Sequence, residues 1–145
     1  MPATAKPSRC FYLCLAMLLF AGSEAASADP SKEAIAATRA AVSEMTPKDV
    51  GSRYGQALGA VEVCTGTKAT DKVSQINAIY TGADLQSFTT QATKIREAWN
   101  RLKLCAIADN PSQCKVIADE SCAAAIAEIG PSGTVLPGLL EQIPH

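Results

Sequence analysis

Cysteine is the residue type in this chain whose number and spacing most clearly suggest chemistry. Of six cysteines, Cys10 and Cys14 lie in an apolar run near the N-terminus. The remaining four are Cys64, Cys105, Cys114 and Cys122. Their spacings of 41, 9 and 8 positions match neither the C-x-x-C of thiol oxidoreductases nor the close cysteine pairs of a zinc knuckle. An even number of cysteines in a small domain of an oxidising compartment indicates two structural disulfides instead.

The positions of the cysteines on the predicted helices decide how they pair. Cys114 and Cys122 lie on one predicted helix, about 12 Å apart at 1.5 Å per residue, whereas a disulfide requires Cα atoms within roughly 7 Å. The turn before that helix centres near residues 109–110, which places Cys105 opposite Cys114. We therefore predict the disulfides Cys105–Cys114 and Cys64–Cys122.

Residues suited to catalysis or to metal binding are few. The single histidine is His145, the last residue of the sequence, and terminal residues are usually poorly ordered. The sequence contains no G-x-S-x-G, no H-E-x-x-H and no glycine-rich phosphate loop. The adjacent acids Asp119 and Glu120 point about 100° apart on a helix and do not converge. We predict no catalytic residue, no metal site and no cofactor.

A strip of three glycines is the sequence feature most suggestive of a binding surface. Gly51, Gly55 and Gly59 recur every four residues along one predicted helix, where each interior glycine costs roughly 0.5–1 kcal/mol relative to alanine. Close approach of another helix of the same domain would offset this cost, and this is the outcome we expect. The functional alternative is a shallow binding groove that admits a partner helix or a flat ligand.

Two further features of the fourth predicted helix invite a functional interpretation. Lys94, Glu97 and Arg101 follow one another at helical spacing, which is typical of a salt-bridged outer face and less often of a binding patch. Trp99 lies on the apolar stripe of the same helix, so we expect it in the core and hold ligand stacking as the alternative.

The elements that would position these residues are helices. Apolar residues recur at intervals of three and four, and helix-capping residues precede proline or an acidic or amide side chain at the start of most stripes. The predicted helix starts are Asp29-Pro30, Thr46-Pro47, Thr70, Thr81-Gly82 and Asn110-Pro111. Gly66 and Gly130 are expected to end the second and fifth helices, the latter in a left-handed conformation.

The stripe of the fourth helix shows the helical pattern most clearly. Its members follow the spacing of a helix-packing seam: Leu85, Phe88, Ala92, Ile95, Trp99, Leu102 and Cys105. Because the predicted loops are short, sequential helices should be antiparallel neighbours. The sequence therefore predicts an all-α fold, a small disulfide-stabilised bundle of four to five antiparallel helices over residues 29–130. Residues 131–145 form an apolar tail, broken by proline and glycine, that packs on the bundle or trails from it.

The N-terminal segment has the three parts of a secretory signal peptide. Lys6 and Arg9 precede an apolar run over residues 10–21, and Ala26-Ser27-Ala28 supplies a small-residue cleavage site. The apolar run is shorter than the roughly 20 residues of a membrane-spanning helix. We predict cleavage of residues 1–28 and export of the rest, to the periplasm of a bacterium or otherwise to the extracellular space, with no membrane span in the mature chain.

Charge limits the classes of partner. Without residues 1–28 the chain has 11 Lys and Arg and 13 Asp and Glu, with both signs interspersed. This balance argues against nucleic-acid binding, which requires a basic patch.

Three functional hypotheses follow. The first is a module that binds another envelope or secreted protein as inhibitor, chaperone or accessory subunit. The second is a carrier of a small apolar ligand between helices, and the third is a carboxylate-dependent enzyme.

Overall fold

The protein is an all-α domain with a minor two-stranded sheet. The structure, a computed structural model, describes residues 30–144; the predicted signal peptide, its cleavage site and His145 lie outside this range. The elements in chain order are α1 (Pro30–Ala41), α2 (Pro47–Val63), β1 (Thr67–Ala69), α3 (Asp71–Asn77), α4 (Gly82–Leu102), a 3-10 turn (Cys105–Ile107), α5 (Pro111–Ile129) and β2 (Leu140–Gln142). The predicted all-α class and the five helices are confirmed.

Side-chain caps begin two of the three long helices as the sequence predicts. The Thr46 hydroxyl accepts a hydrogen bond from the Asp49 backbone N–H at 3.1 Å and donates to the Asp49 carboxylate at 2.7 Å. The Asn110 side chain accepts from the Gln113 backbone N–H at 3.1 Å. Each cap is followed by proline at the first helical position. These bonds satisfy backbone donors that have no partner within the helix.

Two of the other predicted caps are wrong in detail, and Asp29, the predicted cap of α1, lies outside the described residues. Neither Thr70 nor Thr81 makes a side-chain cap, although α3 and α4 begin directly after them. Thr70 instead donates its hydroxyl to the carbonyl of Gly138 at 2.6 Å, which ties α3 to the C-terminal tail. Gly130 ends α5 with φ −68°, an extended conformation rather than the left-handed one expected.

The two central helices, α2 and α4, lie side by side and run parallel. Three successive close approaches advance in the same direction along both, from Gly51 with Phe88 through Gly55 with Ala92 to Gly59 with Trp99. Because α3 lies between them in the chain, the parallel direction of this pair does not contradict the expectation that sequential helices run antiparallel. The connection over residues 64–81, with its short strand and helix α3, returns the chain to the starting end before α4 begins.

The other helices flank this pair. α5 runs antiparallel to α2, because a residue near the start of α2 contacts the end of α5 and a residue after the end of α2 contacts an earlier part of α5. Arg53 pairs with Glu128, and Cys64 is bonded to Cys122. α1 packs on α3 rather than on α2. The Thr38 hydroxyl is buried in this contact and donates to the side-chain oxygen of Gln75 at 2.6 Å.

The glycine strip is filled by α4, so the candidate groove over these three residues does not exist. A Cβ at Gly51 would lie 2.4 Å from the Phe88 carbonyl oxygen, and one at Gly55 would lie 2.4 Å from that of Ala92. A Cβ at Gly59 would lie 2.3 Å from the Trp99 side chain. Glycine is required because no other residue permits this backbone approach, and the packing expectation accounts for the strip.

Both disulfides join the cysteines that the helix geometry pairs. Cys64 is bonded to Cys122 with Cα atoms 5.6 Å apart, and Cys105 to Cys114 with Cα atoms 5.3 Å apart. The first links the end of α2 to the middle of α5. The second closes the hairpin between α4 and α5, which holds the 3-10 turn in place.

The C-terminal tail is an integral part of the core. Leu136, Leu139 and Leu140 are fully buried, and β2 pairs antiparallel with β1, with Thr67 opposite Gln142. The expectation that helix two extends to Gly66 is wrong, because α2 ends at Val63 and the chain turns into β1. Residues 131–144 thus pack on the bundle rather than trail from it.

Candidate functional site

Helix α5 presents apolar side chains on more than one face. Ala125 and Ile129 are fully buried against the rest of the domain, whereas Val116 and Ile117 are 55% and 46% exposed. Ile117 faces the space beside α4, and no helix covers it. The reason is that α4 and α5 are joined by a disulfide at their connection but make little direct contact elsewhere.

The space between these helices forms an open cleft of about 600 Å³, with α2 as its floor. We call it the α4–α5 cleft. Its lining residues are Ser52, Arg53 and Gln56 of α2; Ile95, Ala98, Trp99, Arg101 and Leu102 of α4; and Ile117, Ser121, Ala124 and Glu128 of α5. Half of these residues are apolar, and they supply most of the surface area that lines the cleft. The volume falls within the range of roughly 300–1,000 Å³ typical of small-molecule sites.

One end of the cleft is closed by a polar cluster. The Arg53 guanidinium pairs with the Glu128 carboxylate and also donates to the Gln56 side-chain oxygen at 3.1 Å. The Gln56 amide nitrogen donates to the same Glu128 oxygen at 2.9 Å. These groups satisfy one another, so the cluster is electrically neutral and fixed between α2 and α5.

The other end of the cleft contains a cationic side chain without an internal partner. Arg101 lines the cleft beside Leu102 and Ile117, and within residues 30–144 its guanidinium makes no ion pair or hydrogen bond. The predicted salt-bridged face of Lys94, Glu97 and Arg101 is therefore wrong, since none of the ion pairs among the described residues joins these three.

Trp99 is a core residue, as expected, that also contributes to the lining of the cleft. It is only 7% exposed and packs over Gly59, as expected of a core residue. One part of its side chain also lines the α4–α5 cleft. Ile95 and Leu102, which share its predicted seam, are half-buried and line the same cleft. Part of the seam thus faces open space rather than another helix.

The disulfide-closed turn between α4 and α5 is a second candidate surface, which we call the apolar hairpin and define as residues 104–116. In the described part of the chain, the three most exposed large apolar side chains all lie on it: Ile107 at 79%, Leu104 at 56% and Val116 at 55%. The apolar stripes did not predict this surface, because they identify only side chains that face inward. The available signal was that Leu104 and Ile107 fall outside every stripe.

A wider depression of about 960 Å³ lies on the far side of the hairpin, between the two-stranded sheet and α5. Both disulfides contribute cysteines to its lining, and its charged members Lys115 and Asp119 pair with one another at 3.0 Å. Asp119, one of the adjacent acids singled out above, is thus part of a solvated ion pair on the helix surface.

A carboxylate that pairs with two cations lies away from the cleft, at the end of α2. The Glu62 carboxylate accepts hydrogen bonds from Lys103 and Arg96, and these two cations lower its pKa. The cluster links the C-terminal end of α2 to the C-terminal half of α4.

Comparison with known proteins supplies no relative: no protein-family model, curated protein or solved structure matches the chain. Within residues 30–144, no group of three or more His, Cys, Asp or Glu side chains is placed to hold a metal ion. No helix in that range combines the length and the apolar character needed to cross a bilayer.

Proposed function

We propose that the protein is exported and acts by binding another envelope or secreted protein through the apolar hairpin. The observation that carries this proposal is the concentration of exposed apolar side chains, Leu104, Ile107 and Val116, on one disulfide-closed hairpin. Single exposed apolar residues are common on protein surfaces, but grouped ones mark interaction sites. Burial of such side chains against a partner removes apolar surface from water, which favours association.

The Cys105–Cys114 disulfide supports the same role. A binding surface that is already ordered loses less conformational entropy on association than a flexible one. The bond holds the 3-10 turn that carries Ile107, so this side chain is presented to a partner in one fixed arrangement. A partner that covers these side chains must offer an apolar surface of its own.

The two disulfides also bear on the compartment in which the partner is met. Disulfides persist in the periplasm and outside the cell and are rare in the cytosol, which fits the predicted removal of residues 1–28. Intact mass of the exported product should correspond to a chain that starts near Asp29. A product that retains residues 1–20 would contradict export as proposed.

The protein-binding proposal is tested by capture from an envelope extract of the organism that encodes the chain. The exported wild-type protein is compared with the double variant Leu104→Ser/Ile107→Ser and with Val135→Ser, a matched control because Val135 is also exposed, at 40%, and lies outside the hairpin. We expect the partner captured by wild type and control to bind the double variant at least tenfold more weakly, as for loss of interface anchors.

Two results would contradict the hairpin as the contact surface. One is capture of the same proteins, with equal affinity, by all three forms. The other is a purified protein that sediments as a dimer and becomes monomeric in the double variant, which would make the hairpin a contact between two copies of this chain.

The α4–α5 cleft favours a second candidate function, the carriage of a small apolar ligand. Its volume of about 600 Å³ and its mostly apolar lining have the character of ligand sites, which combine apolar walls with a few polar groups that fix orientation. The third hypothesis, a carboxylate-dependent enzyme, gains no support from the geometry, and we do not propose it.

A further inference from the structure

The charges that line the α4–α5 cleft are not balanced. Three charged side chains contribute to its lining: Arg53, Arg101 and Glu128. Arg53 and Glu128 pair with one another, so the cleft retains one positive charge, that of Arg101, at the opposite end from this pair. An apolar cleft with one cation at one end is complementary to a ligand with a hydrocarbon chain and one negative charge.

We propose that the α4–α5 cleft binds a medium-chain fatty acid, with the carboxylate at Arg101 and the hydrocarbon chain along the cleft toward the Arg53–Glu128 pair. This inference rests on the second candidate function and names the class of its ligand. The guanidinium of Arg101 offers a planar pair of donors that matches a carboxylate. Its single charge also matches a carboxylate better than a phosphate monoester, which carries nearly two negative charges.

The dimensions of the cleft agree with a single hydrocarbon chain. The residues that α5 contributes run from Ile117 to Glu128, a distance of about 16 Å at 1.5 Å per residue. Along this length the ligand would contact Ile95 and Trp99 on one side and Ala124 on the other. A partner helix is a poorer fit, because a helix with its side chains is about 10–12 Å across and the volume available is that of a small molecule.

The polar cluster at the far end does not compete for the carboxylate. The Arg53 guanidinium already pairs with Glu128 and donates to Gln56, and a second anion there would meet the charge of Glu128. Arg101 is the only cation of the cleft lining whose donors have no partner within residues 30–144. The ligand is therefore oriented with its carboxylate at the Arg101 end.

The chain contains its own reporter for this experiment. Trp99 is the only tryptophan in the sequence and lines the cleft, so its fluorescence responds to occupancy without a label. The exported, delipidated protein is titrated with dodecanoate below its micelle concentration, and with dodecanol and dodecyltrimethylammonium as neutral and cationic matches of the same chain. We expect saturable change with dodecanoate, weaker binding of dodecanol and the weakest binding of the cation.

Three variants locate the site. Arg101→Ala should weaken dodecanoate binding about fivefold, the upper range for a solvent-accessible ion pair, while dodecanol binding stays unchanged. Lys94→Ala is the matched control, because Lys94 is an exposed cation of the same helix that does not line the cleft; it should leave the affinity unchanged. Ala124→Phe, at an exposed position of α5, should fill the cleft and abolish binding of both ligands.

The outcomes separate this inference from the function on which it rests. Equal affinity for dodecanoate and dodecanol, or equal losses in Arg101→Ala and Lys94→Ala, would overturn the fatty acid while leaving a carrier of apolar ligands. Absence of any saturable change in Trp99 fluorescence, or full binding by Ala124→Phe, would overturn the cleft as a ligand site altogether. Circular dichroism of each variant checks that the helices are intact.

Discussion

Replacing Gly55 with alanine should lower the thermal stability of the domain, although alanine is the better helix former. Gly55 lies in the middle of α2, and a Cβ there would approach the Ala92 carbonyl oxygen to 2.4 Å and the Ile95 Cβ to 3.0 Å. The first of these atoms belongs to the backbone of α4. It cannot rotate away, so α4 as a whole must shift to admit the methyl group.

The two opposing effects can be compared in size. Alanine in place of glycine in a helix interior gains up to about 1 kcal/mol of propensity, whereas overpacking typically costs about 1–3 kcal/mol. The contact with a backbone atom places this site in the upper part of that range. We expect a net loss of about 1–2 kcal/mol, or a fall in melting temperature of about 4–8 °C for a domain of this size.

The assay is thermal unfolding of the oxidised protein followed by far-ultraviolet circular dichroism. Ser87→Ala is the control, since Ser87 is an exposed position of α4 where alanine adds propensity without a new contact; its melting temperature should stay equal or rise. The variant Ala92→Gly should fail to rescue Gly55→Ala, because the obstacle is the carbonyl oxygen of Ala92 and not its methyl group. A Gly55→Ala protein that melts higher than wild type would refute the close approach of α2 and α4.

Three further predictions concern the disulfides, one ion-pair cluster and the tail. Thiol titration of the native protein should find no free cysteine among the four of the domain, and peptide mapping should recover Cys105 joined to Cys114; a peptide linking Cys105 to any other cysteine would show that the helix register is wrong. Glu62→Gln should destabilise the protein at neutral pH, because the lowered pKa of Glu62 contributes stability above the ordinary glutamate range. That difference from wild type, measured by urea unfolding, should vanish as the pH falls through the lowered pKa, and a difference that grows toward acid would contradict the assignment. Leu139→Ala should cost about 2–5 kcal/mol, as for a fully buried leucine, whereas Leu104→Ala at an exposed position should change the free energy of unfolding by less than about 0.5 kcal/mol.

The features of this fold that could be predicted from the sequence are those that depend on residues close together in the chain. The caps at Thr46 and Asn110 depend on residues within one turn of the helix start, so they are visible in the sequence. The Cys105–Cys114 disulfide follows from the position of a single turn.

The arrangement of the helices was not predictable in the same way. The direction of α4 relative to α2 depends on residues 64–81, where a three-residue strand is too short to show a period and finds its partner, residues 140–142, far along the chain. The cleft was missed for a related reason. The spacing of Ile95 and Leu102 indicates that they lie on one apolar face of the helix, but it does not indicate whether a neighbouring helix covers that face.

The pairing of β1 with β2 has a consequence for the order in which the chain folds. Leu140 and its neighbours complete a core that begins at α1, so a chain that emerges N-terminus first cannot close this core until residues 136–142 have appeared. Contacts of such large sequence separation form slowly because a long loop must close. The Cys105–Cys114 bond spans 9 positions and can form early, whereas Cys64–Cys122 spans 58 and awaits the docking of α5 on α2. Trapping free thiols during oxidative refolding should therefore capture a one-disulfide species that contains the hairpin bond, with the long-range bond formed last.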